Sequence, residues 1–412
     1  MRAGDSSAPG EGRRRTASGE FDPDAVGVYV HVPYCASICG YCDFFREKSG
    51  VVPDGYERLV LAEADGYRGS PPVRADSLYF GGGTPSLLEP SRLAAVISGL
   101  GEIFGFNDET EVTLEANPET VTPERLDGWR QAGINRLSVG VQSLDSRVLA
   151  ALERRATAEQ AVGALERAAA AGFSRLSADV MSGVPGQSRS SLLETVASVA
   201  ALPVDHLSLY SLDLHHGTRL QKKVAEGKLE LPGGDEAADL YLSVRDLLLG
   251  RGFEHYEISN FARPGGRCRH NLRYWLGAET VGLGPSAWSR FRGRLYGNPR
   301  SLRDWEAEVR AGTGTSPRGE AITADQARTD RLIFGLRLSD GVGLDEVGEV
   351  LSHGGRDPDR LLRPLVDHGY ARVERGRLAL TAEGFFLSSE ILAYLLPPGW
   401  RASAPGTREG AP

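Results

Sequence analysis

The stretch Val28-Tyr-Val-His-Val-Pro-Tyr-Cys35-Ala-Ser-Ile-Cys39-Gly-Tyr-Cys42-Asp-Phe44 gathers three cysteines within eight residues, directly after an apolar, β-branched run that reads as a strand. The spacing is C-x3-C-x2-C, and the only other cysteine among the 412 residues is Cys268. A four-iron cube is normally held by four thiolates. Three clustered ligands leave one iron open, and an open iron can bind a substrate rather than only pass electrons. Two other readings stay open on this loop alone. Cys39-Gly-Tyr-Cys42 has the spacing of a thioredoxin-like redox pair, in which Cys35 would have no part. His31 with the three cysteines could instead close a Cys3His zinc site. A disulfide framework fits poorly: an odd local cluster cannot pair off, and four cysteines in so long a chain suit a reducing, cytoplasmic setting.

An apolar content of 41% with 25% charged residues is ordinary for a soluble globular protein with a sizeable core. The length suits one large domain and a small one. No apolar run reaches membrane-spanning length, so no membrane span is expected. The net charge of −8 argues against a nucleic-acid partner. Residues 1–22, rich in Gly, Ser, Ala and charge, are expected to form a disordered tail. Arg13-Arg14-Arg15 within it could suggest an export signal, but no apolar stretch follows. A second flexible tail is expected over 397–412.

Between these tails, short β-branched or aromatic runs alternate with amphipathic ones. Strands are predicted over 26–31, 76–80, 111–115, 135–141, 174–180 and 205–211, and helices over 89–104, 123–132, 158–171 and 189–201. Thr122 followed by Pro123 supports the second helix start. Strands alternating with helices mean parallel βαβ units, and six in a row over 23–250 fit a doubly wound sheet or a partial (β/α)6 barrel. The unusual residues all fall where strands end. The cysteine loop follows the first strand, Gly81-Gly82-Gly83-Thr84-Pro85 the second and Glu115-Ala-Asn117 the third. Gln142-Ser143, Asp179 and Ser211-Leu-Asp213 close the rest. That is the face on which parallel barrels build their sites. Low bulk at Gly82-Gly83-Thr84 would let a ligand approach backbone N–H groups. Glu115 can accept from an amine, Arg154 can pair with a carboxylate, and Asp179 can grip ribose hydroxyls.

On these residues the chain resembles the radical S-adenosylmethionine superfamily, and within it the coproporphyrinogen-oxidase-like branch, from about Val26 to Leu396. The resemblance implies a radical SAM (β/α)6 barrel, with a 4Fe–4S cluster held by Cys35, Cys39 and Cys42. It also implies that the open iron is chelated by S-adenosylmethionine, which reduction cleaves to a 5′-deoxyadenosyl radical. Tyr29, Tyr41, Gly82, Gly83, Thr84, Glu115, Gln142, Arg154 and Asp179 match the family's adenosylmethionine-contacting positions. Cys42 is followed by Asp43-Phe44, where oxygen-independent coproporphyrinogen dehydrogenases usually carry another cysteine. That context, with His270-Asn271-Leu-Arg-Tyr274-Trp275, is similar to the HemW-type heme chaperones, which bind heme and hand it to acceptor proteins. Three departures concern a second site. Leu152-Glu153-Arg154-Arg155-Ala156 replaces Leu-Gly-Arg-x-His, Trp288 stands where relatives have histidine, and His215-His216 replaces Glu-Pro.

A neutral imidazole is a common heme ligand, which makes His270 the heme candidate in its motif; the alternative is that His270 and Asn271 hydrogen-bond a loop across the barrel mouth. The segment 251–310 flanks the barrel, and a Gly/Thr/Ser-rich linker over 311–320 precedes a C-terminal winged-helix-like α+β domain over 321–396. That domain holds 9 Arg, no Lys and 12 Asp/Glu, a poor match to a phosphate backbone, so it is expected to serve as a cap or docking module. The reading carried forward is a cytoplasmic heme chaperone with cluster, adenosylmethionine and heme, an electron donor such as flavodoxin or ferredoxin, and a heme-accepting partner. Its rivals are a coproporphyrinogen III dehydrogenase, a radical methyltransferase and a zinc-stabilised interaction protein.

Overall fold

The computed structural model describes residues 22–69, 73–312 and 319–396. The expected tails, up to residue 21 and from 397, and the centre of the expected linker lie outside the described residues. Strand β1 (Val26–Val32) runs into the cysteine loop, whose flanks pair as β2 (Tyr34–Cys35) and β3 (Glu47–Lys48) before helix α1 (Tyr56–Asp65). The repeat continues as β4 (Ala75–Gly82), α2 (Pro90–Phe104), β5 (Glu111–Ala116), α3 (Pro123–Gln131) and β6 (Arg136–Gln142). It then runs through α4 (Ser146–Ala151), α5 (Ala158–Ala170), β7 (Arg175–Ser182), α6 (Arg189–Ala201) and β8 (His206–Ser211). All six expected strands form within a residue or two of their predicted limits and pair in parallel, β1-β4-β5-β6-β7-β8. Thr122 caps α3 by accepting from the Arg125 N–H, with Pro123 at the first helical position.

Side chains in a strand alternate between faces, and here each face has its own chemistry. Val28, Val30, Leu78, Phe80, Leu114, Leu137, Val139, Leu176, Leu207 and Leu209 point one way and join a single buried core with the helix residues Leu93, Leu100, Trp129, Leu165 and Val196. The other face is polar. Ser77, Thr113, Glu115, Ser138, Ser177, Asp179, His206 and Ser208 turn inward. A barrel with a polar interior has room for ligands and must satisfy every group it buries.

The sheet extends beyond the six strands at both edges. After α7 (Arg219–Ala225) and α8 (Gly234–Leu249), the hairpin β9 (Glu254–Glu257) and β10 (Asn260–Ala262) adds antiparallel to β8. Helix α9 (Arg269–Trp275) then crosses the amino-terminal end of the barrel. Its Arg273 donates to Asp76 Oδ1 at 2.7 Å and to the Ala25 carbonyl at 2.7 Å, both at strand starts. At the opposite edge β11 (Thr280–Leu283) joins β1 in parallel, followed by β12 (Trp288–Phe291), β13 (Arg294–Gly297), α10 (Leu302–Arg310) and β14 (Glu320–Ala321). The twelve strands leave the barrel unclosed.

The C-terminal part contains α11 (Ala324–Gly335), β15 (Val342–Gly343), α12 (Leu344–His353), α13 (Pro358–Asp367), the hairpin β16 (Ala371–Glu374) and β17 (Arg377–Leu380), α14 (Ala382–Phe386) and α15 (Ser388–Leu395). This is a winged-helix-like arrangement with sheet order β15-β17-β16. Arg375 and Gly376 both have positive φ, as a two-residue hairpin turn requires. The part is fastened to edge strand β9: Ser339 donates to the Tyr256 carbonyl and Ile258 to the Arg337 carbonyl.

Candidate functional site

A cavity of about 340 Å³ opens at the carboxyl ends of the six parallel strands. Cys35, Cys39, Tyr41, Cys42, Gly82, Gly83, Thr84, Glu115, Gln142, Arg154 and Asp179 all line it. Residues spread over more than a hundred positions therefore converge, because every parallel strand delivers its last residues to the same end.

The cysteine loop is clamped from three sides. Gly83 and Thr84 donate their N–H groups to the Val32 and Tyr34 carbonyls, each at 2.8 Å. These donors are thus spent on the loop, which corrects the expectation that they are offered to a ligand. A Cβ on Gly83 would lie 2.7 Å from the Pro33 carbonyl carbon, so the glycine is there for this close approach. Gly40 donates to the Leu152 carbonyl, and α7 reaches in from the far side: Leu220 N–H donates to Gly40 O, and Arg219 to Ile38 O at 2.6 Å. Glu153 ties the two sides together through Arg219 and Lys223, which hold its carboxyl below the usual range.

Around the loop the polar groups are fixed by one another. Arg154 donates to the Gly140 carbonyl at 2.8 Å and to Asn117 Oδ1 at 3.1 Å, and its Nη1 lies 3.6 Å from Cys39 Sγ. Asn117 is thus a positioning residue that the sequence reading placed at a strand end but assigned no task. Ser138 Oγ donates to both oxygens of Asp179, at 3.1 and 3.2 Å. Glu115 accepts from Tyr79 at 2.8 Å and from the Gly82 N–H at 3.3 Å, and burial, aided by the charge of Asp179, pushes it up to about 7. Burial also raises Asp179. Gln142 sits at φ 63° beside an irregularity in the β6–β7 pairing, a costly conformation for a residue other than glycine. Such strain clusters at functional sites.

The lining fits the groups it is expected to hold. All four cysteines are free thiols, and the three of the loop face one cavity. Burial raises Cys35 and pushes Cys42 up to about 11, a cost that bound iron removes because a coordinating thiol ionises outright. Among the described residues no three His, Cys, Asp or Glu side chains close on a single ion. His31, the fourth zinc ligand of the alternative reading, has both ring nitrogens engaged, with Tyr29 Oη at 3.1 Å and the Phe45 carbonyl at 2.9 Å.

Two expected residues are not brought into the cavity. Tyr29 lies deeper in the barrel, stacked on Tyr79 and bonded to His31, so an adenosylmethionine contact from its side chain is not seen. His270, the heme candidate, is 1% exposed at the barrel floor, the end opposite the cysteines. Its Nδ1 bonds Ser77 Oγ and its Nε2 bonds Tyr274 Oη, each at 3.1 Å, while its backbone N–H donates to Glu111. An axial role would require breaking one of these ring bonds and opening the core, and the bonds that His270 makes lie at the floor and not across the barrel mouth. Cys268 lies at the same floor, fully buried beside Glu111.

Comparison with known proteins agrees with this geometry. The profile of the Radical SAM superfamily matches residues 29–199. The heme chaperone HemW of Mycobacterium tuberculosis is 37% identical over 378 residues, covering 90% of this chain and 94% of that protein. The mitochondrial radical S-adenosyl methionine domain-containing protein 1 of Danio rerio is 37% identical, covering 80% of this chain and 77% of that protein. Among solved structures, coproporphyrinogen III oxidase (HemN) from Escherichia coli shares the fold with a TM-score of 0.76 at 24% identity, covering 92% of this chain and 91% of that one. Membership implies a 4Fe–4S cluster and S-adenosylmethionine as cofactors, and among the described residues no helix is long and apolar enough to cross a membrane. The chain belongs to the radical SAM superfamily and, within it, to the HemW family.

Proposed function

We propose that this chain is a cytoplasmic heme chaperone that binds the cluster, S-adenosylmethionine and heme and passes heme to an acceptor protein. The observation that carries this reading is the 37% identity to a protein named heme chaperone HemW over 94% of its length. The cavity supports it residue by residue. Cys35, Cys39 and Cys42 would hold the cluster. Glu115, kept in place by Tyr79, would accept from the amine of adenosylmethionine, and Arg154 would pair with its carboxylate. Asp179, oriented by Ser138, would accept from the ribose hydroxyls, with Tyr41, Gly82, Gly83, Thr84 and Gln142 shaping the walls. When bound, the cluster would offer a vacant iron for adenosylmethionine to chelate and would pass it an electron. A small one-electron donor such as flavodoxin or ferredoxin would provide that electron, and neither nucleic acid nor membrane takes part.

The likeness to coproporphyrinogen III oxidase is one of fold. Cys42 is followed here by Asp43-Phe44 and not by a further cysteine. Hemin titrated into anaerobically reconstituted protein should produce a saturable Soret band. The same preparation, given coproporphyrinogen III, adenosylmethionine and a reductant, should leave the porphyrinogen unchanged. Formation of protoporphyrinogen, or titration without a Soret band, would overturn the chaperone reading.

A further inference from the structure

We infer that heme is held over the mouth of the cysteine-lined cavity with His215 as its axial iron ligand, an inference that rests on the heme-chaperone reading. Eight histidines occur in the chain. Four are buried or half-buried and already bonded: His31 and His270 as described, His206 between Ser177 Oγ and Tyr256 Oη, and His255 against Tyr241 Oη. His353 and His368 belong to the C-terminal part, where they meet Asp325 and the Pro364 carbonyl. His216 is exposed but does not line the cavity. His215 does line it. Its side chain is 44% exposed, its Nδ1 lies 3.3 Å from Asp43 Oδ2, and its Nε2 has no partner among the described residues.

A carboxylate beside one ring nitrogen, with the other nitrogen left open, is an arrangement that metal-ligating imidazoles use. Asp43 follows directly after Cys42, so the pairing also sets the imidazole beside the cluster loop. The surroundings suit a porphyrin. Phe44 and Tyr210 line the same cavity and are 61% and 43% exposed, so both rings are open to a flat ligand at the rim. Arg155, exposed on the same lining, offers a guanidinium to a propionate.

Size places heme above the cavity and not within it. Pockets that enclose one drug-sized ligand run from roughly 300 to 1,000 Å³. At about 340 Å³ the cavity lies at the low end of that range, and the cluster and adenosylmethionine would already fill it. A porphyrin seated on the rim would roof the adenosylmethionine site, so the two ligands bind together and do not compete.

The test uses full-length, cluster-reconstituted protein titrated with hemin in three forms: wild type, His215→Ala and His216→Ala. His215→Ala should shift the Soret band and weaken binding by about tenfold or more, since losing even an outer partner of a metal ligand costs that much. His216→Ala should match wild type, and both variants should keep wild-type iron content. Added imidazole should restore the wild-type band position in His215→Ala, a rescue that a merely structural role would not allow. Wild-type affinity and spectrum in His215→Ala would overturn the assignment while leaving the chaperone reading intact. Absence of a Soret band in wild type would defeat both. Displacement of heme by saturating adenosylmethionine would overturn the rim placement.

Discussion

Glu153 stands at φ 55°, a backbone angle that favours glycine, where the Leu-Gly-Arg pattern that the chain resembles has its glycine. The substitution is strained, and the structure shows what offsets it: one carboxylate reaching both Arg219 and Lys223 of α7, the helix that closes over the cysteine loop. Partly exposed ion pairs contribute roughly 0–1 kcal/mol each, and left-handed strain costs roughly 1 kcal/mol, so the two effects nearly cancel. Urea denaturation should therefore rank Glu153→Ala below wild type by about 1 kcal/mol, because alanine keeps the strain and loses the pairs. Glu153→Gly should return close to wild type. Equal midpoints for alanine and wild type would show that the pairs hold nothing. None of this is legible in sequence: the departure from Leu-Gly-Arg is, but the backbone angle and the distant partners that make sense of it are not.

The strands show the opposite balance. Arg136-Leu-Ser-Val, Arg175-Leu-Ser-Ala and His206-Leu-Ser-Leu carry their alternation openly, and the carboxyl-end placement of the cysteines, Glu115, Gln142 and Asp179 follows from strand limits alone. Local pattern suffices there because parallel βαβ units have one way to deliver strand ends to a face. Helix α9 has no such constraint. Its apolar and polar residues are equally compatible with a lid at the top or a plug at the floor, and only long-range bonds to Ala25, Asp76 and Glu111 decide for the floor. His270 is the centre of that plug, bonded at both nitrogens and stacked 5.2 Å from Tyr79. Its replacement by alanine leaves a buried hydroxyl pair without its bridge and opens a void, which should cost about 2–4 kcal/mol of stability. The Soret band of the heme complex should stay where it is in wild type. A shifted band at unchanged stability would return His270 to the role of ligand.

At the scale of the whole molecule, three buried carboxyls on separate elements share one consequence. Burial pushes Glu63, Glu115 and Glu257 each up to about 7 from an ordinary 4.5. Glu63 joins α1 to the β11–α10 edge, accepting from the Gly284 N–H, Trp305 Nε1 and Asn298 Nδ2. Glu115 lies under the cavity, and Glu257 lies where β9 meets the C-terminal part, with neither oxygen hydrogen-bonded among the described residues. Between the two values the folded chain keeps protons that the unfolded chain has released. Their contribution to stability therefore falls as pH rises through that window and levels off above it, by at most about 3 kcal/mol per group. Burial lowers His31, His206, His255 and His270, whose neutral forms add stability as pH rises through much of the same window, so the carboxyl effect is read as the difference between wild-type and glutamine-variant urea midpoints at about pH 5 and about pH 8. Glu257→Gln should flatten the carboxyl contribution by about a third, since it removes one of three groups shifted alike. Wild-type and Glu257→Gln profiles that run parallel would mean that this acid is ionised throughout and that the barrel edge is wetter than its packing implies.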